Sequence, residues 1–375
     1  MCWKGPCRTF PSPGELISDS RRARRRVPTL SQGVTRPFVA VSGGVDSLLA
    51  LCLLREQGRR PEALHGFFLP PGEREFALRE DLARICARLD VPLHSFDFSR
   101  DFEQRIINPF LQDYARGVTP NPCALCNRRI KFGLLLDAAL ELGGDILATG
   151  HYACLHPGPA LYRGLDPSKE QSYFLSLLTR DQLARAAFPL GDWRKEETRK
   201  ALQARVGPPP AAQESQEVCF IPDNDYRRFV GERAEGLSGS GPIRDSAGRR
   251  LGQHSGLYRY TLGQRRGLGI PYGEPLYVLR KDVENNTLVV GTRDELGSSG
   301  CSVREMNLLL QPRDWPGKVY VQGNYRQTPH EAEVVLFGDM AEVRFFRPAP
   351  PPTPGQVMAF YSEQGRVLGG GIISE

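Results

Sequence analysis

The apolar positions of this chain change period near its middle. From Pro37 to about Leu202, apolar strand-like runs alternate with amphipathic helical runs. FVAVS reads as a strand and DSLLALCLLREQG as a helix closed at Gly58, and ALHGFFL with REFALREDLARICARLD repeats the pair. VPLHSFDF, the helical IKFGLLLDAALELGG with its Gly-Gly stop, and DILATGH continue it. Such alternation predicts a parallel sheet with helices on both faces. After Pro208–Pro210 the pattern shortens to alternating runs between glycine turns: PLYVLRKD, NNTLVVGT, AEVVLFG and AEVRFF. These predict an all-β region closed into barrels. RPAPPPTPG is expected to be a stiff loop rather than a strand.

The pattern divides the chain into a leader (residues 1–33), an α/β domain (34–210), a small central domain (211–276) and a C-terminal β-barrel (277–375). The middle stretch from about Ala211 to Tyr272 is glycine-rich and carries no clear period. The leader holds Arg21, Arg22, Arg24, Arg25 and Arg26 and reads as flexible, with a basic RNA-touching arm as the alternative. Glu15 and Asp19 count against an organellar transit peptide.

Composition narrows the class. A chain of 375 residues with 40% hydrophobic and 25% charged residues is ordinary for a soluble protein of two or three domains. No apolar run approaches the ~20 residues that span a bilayer. A net charge of +6 suits a polyanionic partner without naming one. Nine cysteines in so long a chain do not make a disulfide-stapled secreted scaffold. No apolar signal segment follows RRARRR, so a cytoplasmic location is expected. There, paired cysteines are more often catalytic or metal-binding than structural.

Two stretches carry candidate chemistry. In VAVSGGVDSLLALCLL an apolar strand turns through glycines into a helix. Gly43 and Gly44 let backbone approach an anion, and the following N–H groups and the helix dipole favour negative charge. Ser42 and Ser47 add hydroxyls, and Asp46 stands where it caps the helix or positions Mg²⁺. No Lys follows, so this is neither a Walker loop nor a dinucleotide fingerprint. TGH closes a later strand on the same sheet edge, where α/β folds bind ligands.

The second stretch is GVTPNPCALCNRRIKFGLLL. The prolines predict an extended loop, with a helix beginning at Asn127 or a neighbour. Cys126 is therefore expected near a helix N-terminus, beside Arg128, Arg129 and Lys131, with a lowered thiol pKa. A structural zinc site would need four ligands, and no second C-x-x-C or H-x-x-x-H is present. A further cysteine, Cys219, lies in the apolar run VCFI. Cys2, Cys7, Cys52, Cys86, Cys154 and Cys301 read as incidental, with Cys52 and Cys86 on core-facing helix faces. SKEQSYF, QRRGLGIPY and NYRQ combine aromatics with cations, which suits single-stranded RNA.

SGGVDS resembles the pyrophosphate loop of the PP-loop ATPases, which cleave ATP between the α- and β-phosphates. Together with TPNPCALCNRRIKF, ATGHYA, GLDPSKEQSYFL, ESQEVCFIP, YTLGQRRGLGI, KDVENNTLVVG, NYRQTP, TPGQ and LGGGII, it resembles the MnmA family of tRNA 2-thiouridylases from about Phe38 to Ile373. The resemblance implies a Rossmann-like PP-loop domain over residues 34–210. It also implies ATP-dependent thiolation of the wobble uridine in tRNAs for Lys, Glu and Gln, with Mg²⁺, a sulfur-donor protein or cysteine desulfurase, and a monomeric enzyme.

By the same resemblance Cys219 carries the persulfide. Cys126 is the nucleophile or resolving thiol, forming a disulfide with Cys219 on turnover. Val41, Ser42, Gly43, Gly44, Val45, Asp46 and Ser47 hold ATP phosphates, Leu69 contacts adenine, and Gly150 lines the nucleotide site. Asn121, Pro122 and Cys123 meet the target base, and His151 borders the RNA. Lys169, Glu170, Gln171, Asn324, Tyr325 and Gln356 fall at tRNA-contact positions. One departure stands out: many relatives read TPNPD where this chain reads TPNPC. Cys123, Cys126 and Cys219 would then be three thiolate ligands for an iron–sulfur cluster, an alternative to the persulfide route. Another PP-loop ligase is the rival enzyme class.

Overall fold

A computed structural model describes residues 36–210, 218–221 and 223–374. The basic leader, with Cys2 and Cys7, lies outside them. The N-terminal sheet is built from β1 (Pro37–Ala40), β2 (Glu62–Phe67), β3 (Leu93–Asp97) and β4 (Ile146–Ala148). A two-stranded hairpin, β5 (Ala153–His156) and β6 (Ala160–Arg163), precedes the last sheet strand, β7 (Ala186–Ala187). The sheet order is β3-β2-β1-β4-β7 and every pair is parallel. Phe38, Val39, Leu147 and Ala148 are fully buried, which is why β1 and β4 read as continuous apolar runs rather than alternating ones.

The helix Val45–Glu56 is buried almost all round, from Ser47 to Leu54. It shares an apolar cluster with β1 and with Leu202 and Val206 of the helix Lys195–Val206. Strand order reverses between β1 and β4. In open α/β sheets the ligand crevice lies there, outside the strands' carboxyl ends.

Between β3 and β4 the chain is helical. The helix Asn108–Ala115 follows a wide turn at Glu103–Ile107. The helix Pro122–Cys126 runs directly into a π-helical stretch, Asn127–Leu135. Such wide turns release backbone carbonyls and recur at functional sites. Here Gln182 Nε2 donates to two of them, Arg128 O at 2.8 Å and Phe132 O at 2.7 Å.

The central unit contains a helix, Tyr226–Arg233, and the strands β8 (Gly241–Asp245), β9 (Arg250–His254), β10 (Tyr277–Asp282) and β11 (Thr287–Gly291). They form one sheet in the order β10-β11-β8-β9, with Leu288 beside Ile243 across a parallel pairing. Ile243, Val278, Leu288 and Val290 make its buried core. The expected boundary at residue 276 is therefore corrected: the central unit runs through Gly291. Alternation in PLYVLRKD and TLVVG reveals a buried face but not which sheet that face joins.

The C-terminal unit is a closed barrel of β12 (Ser298–Leu308), β13 (Val319–Gln322), β14 (His330–Phe337), β15 (Met340–Ala349), β16 (Val357–Tyr361) and β17 (Val367–Ile373). The start of the proline-rich segment belongs to β15, since Ala349 pairs with Ser298 beyond a bulge, where a strand tolerates proline. One apolar cluster joins Leu147, Tyr173 and Leu175 to Val357, Tyr361 and Val367, so barrel and α/β domain share a core. Among the described residues no helix is long and apolar enough to cross a membrane.

Candidate active site

The chain leaves β1 at Val41, whose carbonyl lies 2.8 Å from His65 Nδ1. It then turns through Ser42–Gly44. Gly43 has φ +79°, a left-handed conformation that glycine adopts without strain. Ser47 Oγ accepts from Ser42 N at 3.1 Å and donates to Gly44 O at 3.1 Å, closing the loop on itself. Val45 is buried and Ser42 is exposed, so the loop is anchored on one side and open on the other.

Gly150 follows β4 and packs on this turn. A Cβ at Gly150 would lie 2.7 Å from the Asp46 carbonyl carbon and 2.8 Å from Ser47 N. Glycine is required for the two strand ends to meet. Asp46 Oδ1 accepts from Tyr152 Oη at 2.7 Å, and Lys195 Nζ lies 2.9 and 2.8 Å from its two carboxylate oxygens. The oxygen donors of Asp46, Ser42 and Ser47 suit the hard cation Mg²⁺. Direct ligation by Asp46 requires the Lys195 ammonium to give up one carboxylate oxygen.

Tyr152 and Lys195 escaped the sequence reading. Tyr152 was visible within ATGHYA as the residue after the strand-end motif. No local signal marks Lys195, which lies 149 positions from Asp46.

The thiols lie on the neighbouring helical segment. Asn121 Oδ1 accepts from Ala124 N at 3.2 Å, and Pro122 occupies the first helical turn, so the helix begins at Pro122. Cys126 is thus in the helix interior, not at its start, and is buried. The expected lowering of its pKa is reversed: burial drives the thiol up to about 12, against the opposing Lys131 ammonium. Burial likewise raises Cys123 to about 11.

Cys219 sits in a turn closed by Ile221 N donating to Val218 O. Its residue surface is exposed. The protein mass behind the thiol raises its pKa, while Lys131 lowers it. Phe220 packs edge-on against Phe110 at 5.1 Å and Phe102 at 5.8 Å. Phe220, Ile221, Cys126 and Leu69 belong to one apolar cluster. The structure therefore brings the Cys219 turn, the Cys126 helix and the segment after β2 together.

The three thiols feel one another's charge. Among the described residues, however, no three His, Cys, Asp or Glu side chains converge closely enough to hold a metal ion. As arranged, Cys123, Cys126 and Cys219 do not fit an iron–sulfur cluster.

Asn121 Nδ2 lies 3.4 Å from both Tyr173 Oη and Gln356 Oε1. Gln356 Nε2 donates to Thr119 O and Pro120 O at 2.9 and 3.0 Å, fixing the loop that enters Pro122. Tyr325 packs on Phe174 with ring centroids 4.6 Å apart. With exposed Asn324, it lines an open groove between the central unit and the barrel.

His151 is buried, with Nδ1 2.7 Å from Thr149 Oγ1, and burial holds its pKa well below the usual value. Lys169 and Gln171 are partly exposed. Glu170 is not a surface group: it is buried with Arg163 Nη1 3.2 Å from its carboxylate, and burial raises its pKa.

A parallel α/β domain with a tight glycine turn at its switch point, followed by two β units, is the architecture of a PP-loop enzyme with accessory domains. Three family models match in series. They are a tRNA methyl transferase HUP domain over residues 35–223, a tRNA methyl transferase PRC-barrel domain over 227–292, and an aminomethyltransferase beta-barrel domain over 298–373.

The tRNA-specific 2-thiouridylase MnmA of Nitratidesulfovibrio vulgaris is 51% identical over 339 residues, covering 89% of this chain and 97% of that protein. Its counterpart in Oleidesulfovibrio alaskensis is 48% identical over 349 residues, covering 90% and 98%. That of Geobacter metallireducens is 42% identical over 356 residues, covering 90% and 96%. The chain belongs to the MnmA family of tRNA-specific 2-thiouridylases.

Proposed function

We propose that the chain transfers sulfur to the 2-position of the wobble uridine in tRNAs for Lys, Glu and Gln. The observation that carries this reading is that one α/β domain holds two half-sites. One is an anion-binding turn backed by Gly150. The other is a pair of thiol segments that share an apolar cluster with Leu69. Other PP-loop ligases need the first and not the second.

The turn Val41–Ser47 and the dipole of the Val45–Glu56 helix hold the phosphates. The uridine 2-oxygen attacks the α-phosphorus, pyrophosphate leaves, and an O2-adenylated base forms. Asp46 with the Ser42 and Ser47 hydroxyls would hold Mg²⁺, which would supply charge neutralisation at the phosphates. AMP is a far better leaving group than oxide, which is why the reaction uses ATP. A donor protein or cysteine desulfurase loads sulfane sulfur on Cys219, whose exposed turn is accessible to it. The terminal sulfur bonds to C2 and AMP departs with the original oxygen. The Cys126 thiolate attacks Cys219 Sγ, breaking its bond to the transferred sulfur and leaving a Cys126–Cys219 disulfide. An external thiol reduces that disulfide before the next cycle. Asn121, Pro122 and Cys123 position the base. Lys169, Gln171, Asn324, Tyr325 and Gln356, with the backbone at Glu170 and His151, carry the RNA.

Nucleoside mass analysis tests this reading. Incubation of an unmodified tRNA for Glu with ATP and persulfide-loaded enzyme should yield 2-thiouridine only at the wobble position. Sulfur at another position or at C4 would contradict it.

A further inference from the structure

The loop after β6 is tied to the adenylating turn twice. Gln171 Oε1 accepts from Tyr152 N at 3.0 Å, and Gln171 N donates to Tyr152 O at 3.0 Å. Tyr152 is fully buried and its hydroxyl reaches Asp46. The second route starts at Asp166. Its Oδ1 accepts from Ser168 N and Ser168 Oγ at 2.9 and 2.7 Å, and its Oδ2 accepts from Lys195 N at 2.9 Å. Lys195 Nζ then meets both oxygens of Asp46.

The two routes also brace each other: Tyr152 Oη lies 3.2 Å from Thr198 Oγ1, which donates to Lys195 O at 2.9 Å. At its other end the loop is joined to the barrel, through buried Glu170, Arg163 and Gln322. A chain of short, part-buried hydrogen bonds thus runs from the 164–171 loop to the Asp46 carboxylate.

We infer that Tyr152 and Lys195 are positioning residues that make the placement of Asp46 depend on the 164–171 loop, so that tRNA docking and ATP binding reinforce each other. The inference rests on the tRNA reading above. A shift of Gln171 by bound RNA moves the Tyr152 backbone and with it the hydroxyl on Asp46. A shift of Asp166 moves the start of the Lys195–Val206 helix and with it the ammonium. Removing one hydrogen bond to a charged group uncouples the two ends without touching either ligand.

Equilibrium binding of α,β-methylene ATP, with and without an unmodified tRNA transcript for Glu, tests it. In the wild type the transcript should tighten the analogue at least about fivefold, and the analogue should tighten the transcript by the same factor. Tyr152→Phe keeps the ring and removes the hydroxyl. It should bring that factor below about twofold while transcript affinity alone stays within about twofold. Gln171→Ala should reduce the coupling too, and the double variant should be no worse than the more affected single one. Lys195→Met should reduce it independently of whether Tyr152→Phe folds, and Lys195→Arg should restore part of it. Full coupling in Tyr152→Phe and Lys195→Met, additive effects in the double variant, or wild-type enzyme that binds both ligands without coupling would overturn the inference. Wild-type enzyme that binds no tRNA would remove the functional reading itself, and the inference with it.

Discussion

The phosphate turn and the thiol segments differ in how finished they are. The turn is pre-built: its glycine has the required backbone conformation, Ser47 closes it, and Gly150 buttresses it from β4. The thiols are not poised. Cys126 and Cys123 are held protonated by burial, and Cys219 stands exposed on a separate turn. The difference is one of construction: the turn is fixed by backbone and hydroxyl hydrogen bonds, whereas the thiol segments are set by burial. Phosphate binding uses fixed backbone dipoles, which cost nothing to leave in place.

The largest expected effect separates the halves. Cys219→Ser and Cys126→Ser should each abolish thiolation while tRNA-dependent pyrophosphate release persists. Loss of both activities together would mean that the two regions are one unit. Gly150→Ala strikes the pre-built half. The added methyl would have to displace Asp46, and a shift near 1 Å costs about 10²-fold. Pyrophosphate release should fall about that much, and wild-type rates would contradict the buttress.

Thiol chemistry sharpens the other half. At pH 8 a thiol with pKa about 12 is ionised to roughly one part in ten thousand. Iodoacetamide followed by peptide mapping should label Cys219 well before Cys126. Equal rates would show that Cys126 is poised after all.

The smallest effect concerns Lys281, which lies under the loop leading to the cysteines. Its Nζ is 3.4 Å from Thr119 Oγ1 and 3.1 Å from Tyr260 O, and burial lowers its pKa from 10.5 to about 8. Between those values the unfolded chain binds the proton and the folded chain does not, so this group's contribution to stability rises with pH. Below about 8 both states are protonated and the cost of burying the ammonium is fully felt. Relative to Lys281→Met, the wild type should gain up to about 3 kcal/mol as pH rises from 8 to 10.5, measured by urea unfolding. The difference between the two proteins cancels the buried thiols, which act in the opposite sense. A flat difference would contradict the burial of Lys281.

Much of this was legible in the sequence because it is local. FVAVSGG and ATGH each place a strand end and a glycine, and parallel topology brings such ends to one edge. What was not legible depends on distance or on where a helix starts. The alternation of TLVVG marks an inward face, but only pairing across the fold assigns β11 to β8. The Asn121 cap starts the helix at Pro122, upstream of the expected Asn127, so Cys126 lies within the helix, where it is buried, rather than at its N-terminus. Tyr152 and Lys195 reach Asp46 across 106 and 149 positions, where no periodicity can point.

The central claim is that one site joins ATP cleavage to a tRNA base. Pyrophosphate release by the purified full-length chain, measured with ATP alone, with an unmodified tRNA for Glu, and with the same transcript carrying cytidine at the wobble position, tests it most directly. The account predicts release only with the uridine-bearing transcript, one pyrophosphate per base activated. Equal release with the cytidine transcript, or with ATP and no RNA, would contradict it.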